Sequence, residues 1–179
     1  MLIILQVIKK IKHKKGMIMN KKYSSQSADS VIGVISDTHG MFRPEVAGAF
    51  KNVDAIIHAG DIGSMAIIDE LKEIAPVYAV RGNMDSGQWC ENIPFIDVID
   101  INHFLIYALH NIDYIDLNPK AAGFQAVIFG HTHQPQKFIK DGILFLNPGS
   151  AGPQRNRFPP SVARITVIEN ELSPEFIEL

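Results

Sequence analysis

A single cysteine, Cys90, is all the thiol this chain possesses. No disulfide can form within it, and a reducing, cytosolic setting is the natural reading of such thiol-poor composition. Long hydrophobic runs are also missing. The longest apolar stretch falls far short of the ~20 residues that cross a bilayer, so no membrane span is expected. Acidic side chains are absent from the first 22 positions, which instead hold Lys9, Lys10, Lys12, Lys14, Lys15, Lys21 and Lys22. A secretory leader would put its charges before its apolar part and finish in a small-residue cleavage site. Here the order is reversed and no such site follows. Residues 1–30 are therefore read as an extension outside the fold, disordered or the product of a start codon set too far upstream, since Met17 and Met19 could also begin the chain. The competing reading is a basic, amphipathic contact with a membrane surface.

Of the 179 residues, 46% are hydrophobic, enough for one domain with a real core, placed at residues 31–179. The net charge of −2 conceals an asymmetry. Setting aside the seven tail lysines leaves ten basic side chains against nineteen acidic ones. An acidic body argues against stable nucleic-acid binding, which relies on basic surface, and suits a protein that concentrates cations. Nothing in the pattern specifies an oligomeric state.

Along the body, apolar runs alternate with loops that begin in polar residues. Val31–Ile35, Asp54–Ile57 and Val77–Val80 read as strands, separated by helices at Pro44–Lys51 and from Ser64 to Ile74. Pro44 suits a first helical turn and Ser64 a cap. Ile67, Ile68 and Leu71 share the core-facing side of the second helix. Further strands are expected at Phe95–Ile101 and Phe104–Leu109 around a turn at Asn102-His103, then at Ala126–Phe129, Ile143–Leu146 and Val162–Ile168. A short helix is expected at Pro119–Phe124, and a hairpin partner for the last strand from Glu171. There is no internal repeat. Strand–helix alternation giving way to strand-rich sequence implies an α/β fold with helices packed outside a two-sheet core.

The chemistry lies at the ends of those runs. Asp37 and His39 follow the first strand, Asp61 the second and Asn83 the third. His110 follows the fifth, and His131 and His133 the sixth. Loops at one edge of a sheet are where a rigid scaffold presents functional groups. Imidazole, carboxylate and amide donors suit manganese, nickel, iron or zinc. Seven donors exceed one tetrahedral site but match two ions ~3.5–4 Å apart, with Asp61, placed between the flanking sets, as the bridge. Water shared by two such cations becomes hydroxide near neutral pH and attacks phosphorus without a protein nucleophile.

Asp37-x-His39, Gly60-Asp61, Gly82-Asn83, His110 and Gly130-His131-x-His133 resemble, in order, the motifs of the calcineurin-like metallophosphoesterases. Asn147-Pro148-Gly149-Ser150 is similar to the small single-domain bacterial and archaeal branch, which the retromer subunit Vps29 also resembles. The resemblance spans residues 31–168. It implies a two-sheet β-sandwich flanked by helices, with a dinuclear site at the strand ends. Asp37, His39, Asp61 and His133 would hold one metal; Asp61, Asn83, His110 and His131 would hold the other. Arg81 would orient a phosphate oxygen. Two positions depart from the family pattern. Met84 stands where larger members carry a His regarded as the acid for the leaving group, and Asn111 stands where Gly usually follows the second-metal His.

The expected function is a metal-dependent phosphoesterase, foremost a phosphodiesterase, acting on a small phosphodiester or nucleotide-like substrate. The alternative is a Vps29-like interaction scaffold with little or no catalysis. His13 and His103 read as ordinary surface histidines, and His58 as a structural residue or a partner of the ligands. Asp85 reads equally as an acceptor behind the site or as the end of a turn. Arg155 and Arg157 read as solvated loop side chains, and Cys90 as a partly buried thiol.

Overall fold

The computed structural model describes residues 29–154, 157–168 and 171–179. The reading of the N-terminal extension concerns residues that lie almost wholly outside these, as does Arg155. Two five-stranded sheets form the body. The first runs in the order β10-β9-β1-β2-β3 and the second in the order β4-β5-β6-β8-β7. The strands are β1 (Ser30–Ile35), β2 (Ala55–His58), β3 (Val77–Ala79), β4 (Ile96–Ile101), β5 (Phe104–Leu109), β6 (Ala126–Ile128), β7 (Pro135–Lys140), β8 (Ile143–Pro148), β9 (Ser161–Ile168) and β10 (Glu171–Glu178). Among the described residues, three α-helices accompany them: α1 (Glu45–Ala49), α2 (Met65–Lys72) and α3 (Pro119–Ala122).

Both faces of the central strands are buried, which is why they read as continuous apolar runs rather than alternating ones. On β1, Ile32 and Val34 point between the sheets, where they meet Ile106, Ile128, Leu146 and Ile165. Ile35 points the other way, into a second cluster with Phe50, Ile67 and Leu71 beneath α1 and α2. On β5, Ile106 and Ala108 face the intersheet core, while Tyr107 and Leu109 enter a third cluster with Phe124 and Val127. The result is the helix-flanked sandwich expected from sequence.

Within that sandwich β1, β2 and β3 are mutually parallel, as are β5, β6 and β8. Parallel strands end on the same side, so the loops after β1, β2 and β3 share one edge of their sheet, and those after β5 and β6 one edge of theirs. Backbone bonds then join the loops: Asp37 N–H donates to Gly60 O, His39 N–H to Asp61 O, Gly130 N–H to His110 O, and Gly152 N–H to Asp37 O.

Local chemistry explains the element ends. Asn118 caps α3 by accepting from Ala121 N–H, Pro119 follows, and Gly123 closes the helix in the left-handed region at φ 83°. At α2, Ser64 occupies the cap position with an extended backbone but makes no side-chain cap bond. Asn102 and His103, both at positive φ, turn β4 into β5. Strand β7 is absent from the sequence reading. It is an edge strand whose side chains are nearly all exposed, with Pro135 at its first position, so it carries neither an apolar run nor a buried alternation.

Phe50 is fully buried against Gly33, where an added Cβ would come within 3.0 Å of the ring. Phe50→Ala is expected to cost about 3–5 kcal/mol in urea unfolding, because it empties a fully buried ring site in the cluster beneath α1 and α2.

Candidate metal centre

All seven sequence-identified donors converge at this edge. His133 Nε2 lies 3.2 Å from Asp37 Oδ1 and 3.4 Å from His39 Nε2. His110 Nε2 lies 3.4 Å from Asp61 Oδ2, and His39 Nε2 lies 3.9 Å from the same oxygen. His131 Nδ1 sits 3.1 Å from Asn83 Oδ1, and its ring stands edge-on to His110. Two sets of atoms close enough to share an ion emerge: Asp37, His39 and His133, and Asp37, Asp61 and His110. Asp37 belongs to both, while Asp61 Oδ2 faces His39 of one and His110 of the other.

Each aspartate divides its oxygens between scaffold and cavity. Asp37 Oδ2 accepts from Ser36 Oγ at 2.6 Å and from His131 N–H at 3.1 Å. Its Oδ1 faces the cluster. Asp61 Oδ1 accepts from Met84 N–H at 2.8 Å, leaving Oδ2 toward the histidines. The carbonyl of Ala59 accepts from His110 Nδ1 at 2.8 Å, so Nδ1 carries the proton and Nε2 is turned to Asp61. Asp37 Oδ1, His110 Nε2 and His133 Nδ1 are buried without a hydrogen-bond partner among the described residues. Buried polar atoms are rarely left so. Oxygen and imidazole donors aimed into one space, with the outer atoms of Asp37, Asp61 and His110 already satisfied, fit cations.

Burial disfavours charge on His110, but the Asp61 carboxylate beside it and the further charge of Asp37 outweigh that, and its pKa is raised. Burial likewise opposes the Asp61 charge, yet the His110 and Met84 N–H contacts and the neighbouring imidazoles hold its pKa below the usual carboxylate value. The direction of both shifts shows that this space favours positive charge beside its carboxylates.

The backbone carries the marks of a built site. Asp37, His39, Asp61, His131 and His133 all adopt positive φ, between 48° and 72°. Non-glycine residues rarely enter this region, and such strain persists only where surrounding structure enforces it. Glycines supply the close approach. A Cβ on Gly82 would lie 2.0 Å from Asp61 Oδ1, and one on Gly130 would lie 1.9 Å from Ser36 Oγ.

Three supporting residues were only partly legible. Asp85 accepts from the N–H groups of Ile62, Gly63 and Gly82, tying the Asp61 loop to the Asn83 loop. An acid three positions after a glycine is its sole sequence signal. Asn147 donates to Gly130 O and Thr132 Oγ1 and accepts from Gly149 N–H, so the Asn147-Pro148-Gly149-Ser150 turn braces the His131–His133 loop. His58 Nδ1 accepts from Gly60 N–H, which leaves its proton on Nε2, donated to Thr38 Oγ1; Thr38 in turn donates to Ile62 O. His58 therefore supports the loops and is not turned into the cluster.

The remaining candidates include two beside the donors, Arg81 and Met84, and three in other parts of the fold. Arg81 rests its guanidinium 3.8 Å above the Phe95 ring, beside the cluster. Met84 contributes its backbone N–H while its side chain is 61% exposed. His103 lies in the β4–β5 turn, Arg157 packs over Phe158, and Cys90 is fully buried with its thiol donating to Gly87 O.

Two outcomes follow from this geometry. Gly82→Ala is expected to retain the fold's circular dichroism while weakening divalent-metal binding at least about tenfold by calorimetry, since the new methyl displaces a ligand-bearing carboxylate. Burial pushes the His58 pKa down to about 4, so the unfolded chain binds a proton that the folded chain refuses as pH falls below 6.5. Between pH 7 and pH 5 the metal-free protein should lose about 2 kcal/mol more in urea unfolding than His58→Asn does.

The same stretch of chain finds its counterparts among known proteins. The calcineurin-like phosphoesterase superfamily domain matches residues 31–170. A probable metallophosphoesterase of Methanocaldococcus jannaschii is 39% identical over 165 residues, covering 83% of this chain and 81% of that one. A phosphodiesterase of the same archaeon is 34% identical over 138 residues, covering 66% and 82%. Among solved structures, a conserved predicted phosphoesterase from Streptococcus pneumoniae aligns with a TM-score of 0.69 at 27% identity, over 84% of this chain and 90% of its own. Vacuolar protein sorting 29 from Cryptosporidium parvum aligns with a TM-score of 0.67 at 20% identity, over 84% and 98%, and shares the fold. Since the matched residues are those that build both the sandwich and the cluster at its edge, the chain belongs to the calcineurin-like phosphoesterase superfamily.

Proposed function

We propose that the chain hydrolyses phosphodiesters with two divalent metal ions, manganese, nickel, iron or zinc. One would be held by Asp37, His39, Asp61 and His133, the other by Asp61, Asn83, His110 and His131. The observation that carries this is the placement of Asp61 Oδ2, turned toward His39 on one side and His110 on the other, with its partner oxygen already bonded to Met84 N–H. When bound, paired cations supply Lewis acidity at phosphorus and a nucleophile drawn from water near neutral pH.

The chain's own residues do the rest. Asp37 and Asp61 keep their inner oxygens free because Ser36, His131 N–H and Met84 N–H satisfy the outer ones. His110, its Nδ1–H donated to Ala59 O, presents Nε2 as the ligand atom, and any proton held there leaves on metal loading. Asn83 and His131, both exposed, form the open side from which substrate enters. Arg81, two residues before Asn83, supplies a fixed positive charge at that side. Met84 offers no proton to a departing group, so esters whose leaving oxygen is already a weak base are favoured.

The relatives support this reading, being named metallophosphoesterase and phosphodiesterase. A small phosphodiester or nucleotide-like substrate fits the exposed side, and the lone buried Cys90 fits a cytoplasmic setting. No helix among the described residues is long and apolar enough to cross a membrane. The exposed Met84 in the position of an acid favours a second reading, an interaction scaffold that retains the metals.

The test strips the protein of metal and returns manganese, nickel, zinc or iron, with bis(p-nitrophenyl) phosphate and p-nitrophenyl phosphate as substrates. Turnover is expected to return with a transition metal, to favour the diester, and to fall on the order of 100-fold or more in Asp61→Ala. Stoichiometric metal binding with no turnover of either ester would instead support the scaffold.

A further inference from the structure

Beside the cluster, and opening onto it, lies a cleft of about 270 Å³ lined by Arg81, Asn83, Phe95, Leu109, His110 and Tyr114, among others. We propose that this cleft is the subsite for a nucleobase, so that the diester hydrolysed next to it is a nucleoside phosphodiester. This rests on the reading of the cluster as a phosphodiesterase centre and names the class of its substrate.

The cleft is built by the same two loops that deliver metal donors. After β3, Asn83 goes to the cluster and Arg81, two residues earlier, goes to the cleft. After β5, His110 goes to the cluster. The chain then turns at Asn111, which accepts from Asp113 N–H and starts a short 3-10 turn that presents Tyr114. Asn83 and His110 also line the cleft, so a group esterified to a phosphate held by them has room beside Arg81 and Tyr114.

The lining is chosen for a flat, aromatic, uncharged group. Tyr114 is 73% exposed and Phe95 54%, so two large rings stand at the surface of the same cleft. Phe95 already stacks the Arg81 guanidinium at 3.8 Å, which fixes a planar cation as one surface of the cleft. Arg81 Nε is buried there without a hydrogen-bond partner among the described residues. Leu109 is buried beneath. Opposite in charge to Arg81, Asp116 also lines the cleft, with the Tyr107 hydroxyl 3.5 Å from its carboxylate. A second phosphate or a carboxylate would meet this acid. A simple alkyl chain would leave both Arg81 and Asp116 unpaired. A base presents π-faces to the rings and an edge of donors and acceptors to the two charges.

The test uses the manganese-loaded protein and two pairs of probes. Thymidine 5′-(p-nitrophenyl phosphate) and methyl p-nitrophenyl phosphate share a leaving group and differ only in the group retained on phosphorus. Adenosine 5′-monophosphate and ribose 5-phosphate differ only in the base and are compared by calorimetry. Roughly tenfold preference for the nucleoside probe is expected in kcat/KM, expressed mainly in KM, and in Kd, with both ratios falling toward one in Tyr114→Ala and in Phe95→Leu. Equal treatment of the probes by the wild-type protein would overturn the subsite, as would ratios unchanged in both variants. Failure to hydrolyse either ester, with the base-dependent difference in Kd intact, would uphold the subsite while removing the phosphodiesterase reading beneath it.

Discussion

Two buried carboxylates, Asp37 and Asp61, are turned toward the same small space, and the rest of the site answers to the difficulty of keeping them there. Removing a carboxylate from water without a compensating charge is strongly unfavourable. The fold meets half of this with backbone and hydroxyl donors on each outer oxygen. The other half is left to the imidazole of His110, whose Nε2 lies beside Asp61, and to whatever cation is bound there. Asp85 is a third acid close by, but it is spent otherwise, on three backbone N–H groups. One residue type thus serves two purposes: Asp85 is saturated by amides and rigid, whereas Asp37 and Asp61 are half-saturated and available.

That availability depends on backbones lying unusually close together. Gly82 and Gly130 have no room for a side chain, and five of the donor residues sit at positive φ. The strain is sustained by the sandwich behind it. Parallel β1, β2 and β3 in one sheet, and parallel β5 and β6 in the other, fix where each loop begins. Short crossing hydrogen bonds between loops fix where each one goes.

Much of this was legible in the sequence because the signals were local. Apolar runs ending in Asp-x-His, Gly-Asp, Gly-Asn and Gly-His-x-His gave the strands and the donors together, and Pro119 and Gly123 bounded a helix. What escaped was non-local or weakly patterned. Strand β7 is exposed along nearly all its length, so its pairing with β8 leaves no hydrophobic trace. The brace formed by Asn147 and the amide-binding role of Asp85 depend on loops that meet only in three dimensions, and turn propensity alone could not assign them. The cleft beside the cluster was equally hidden: Tyr114 and Phe95 are nineteen positions apart and carry no shared motif.

The donors are drawn from both sheets: Asp37, His39, Asp61 and Asn83 from one, His110, His131 and His133 from the other. Any ion seated among them works as a clasp across the top of the sandwich, added to the His110 Nδ1–Ala59 O and His131 N–H–Asp37 Oδ2 bonds that already span it. Ligands that bind only the folded form add to its stability in proportion to the logarithm of their concentration over Kd. The longevity of each molecule against proteolysis would then track cellular metal supply, and starvation for that ion would thin the population as well as silence it.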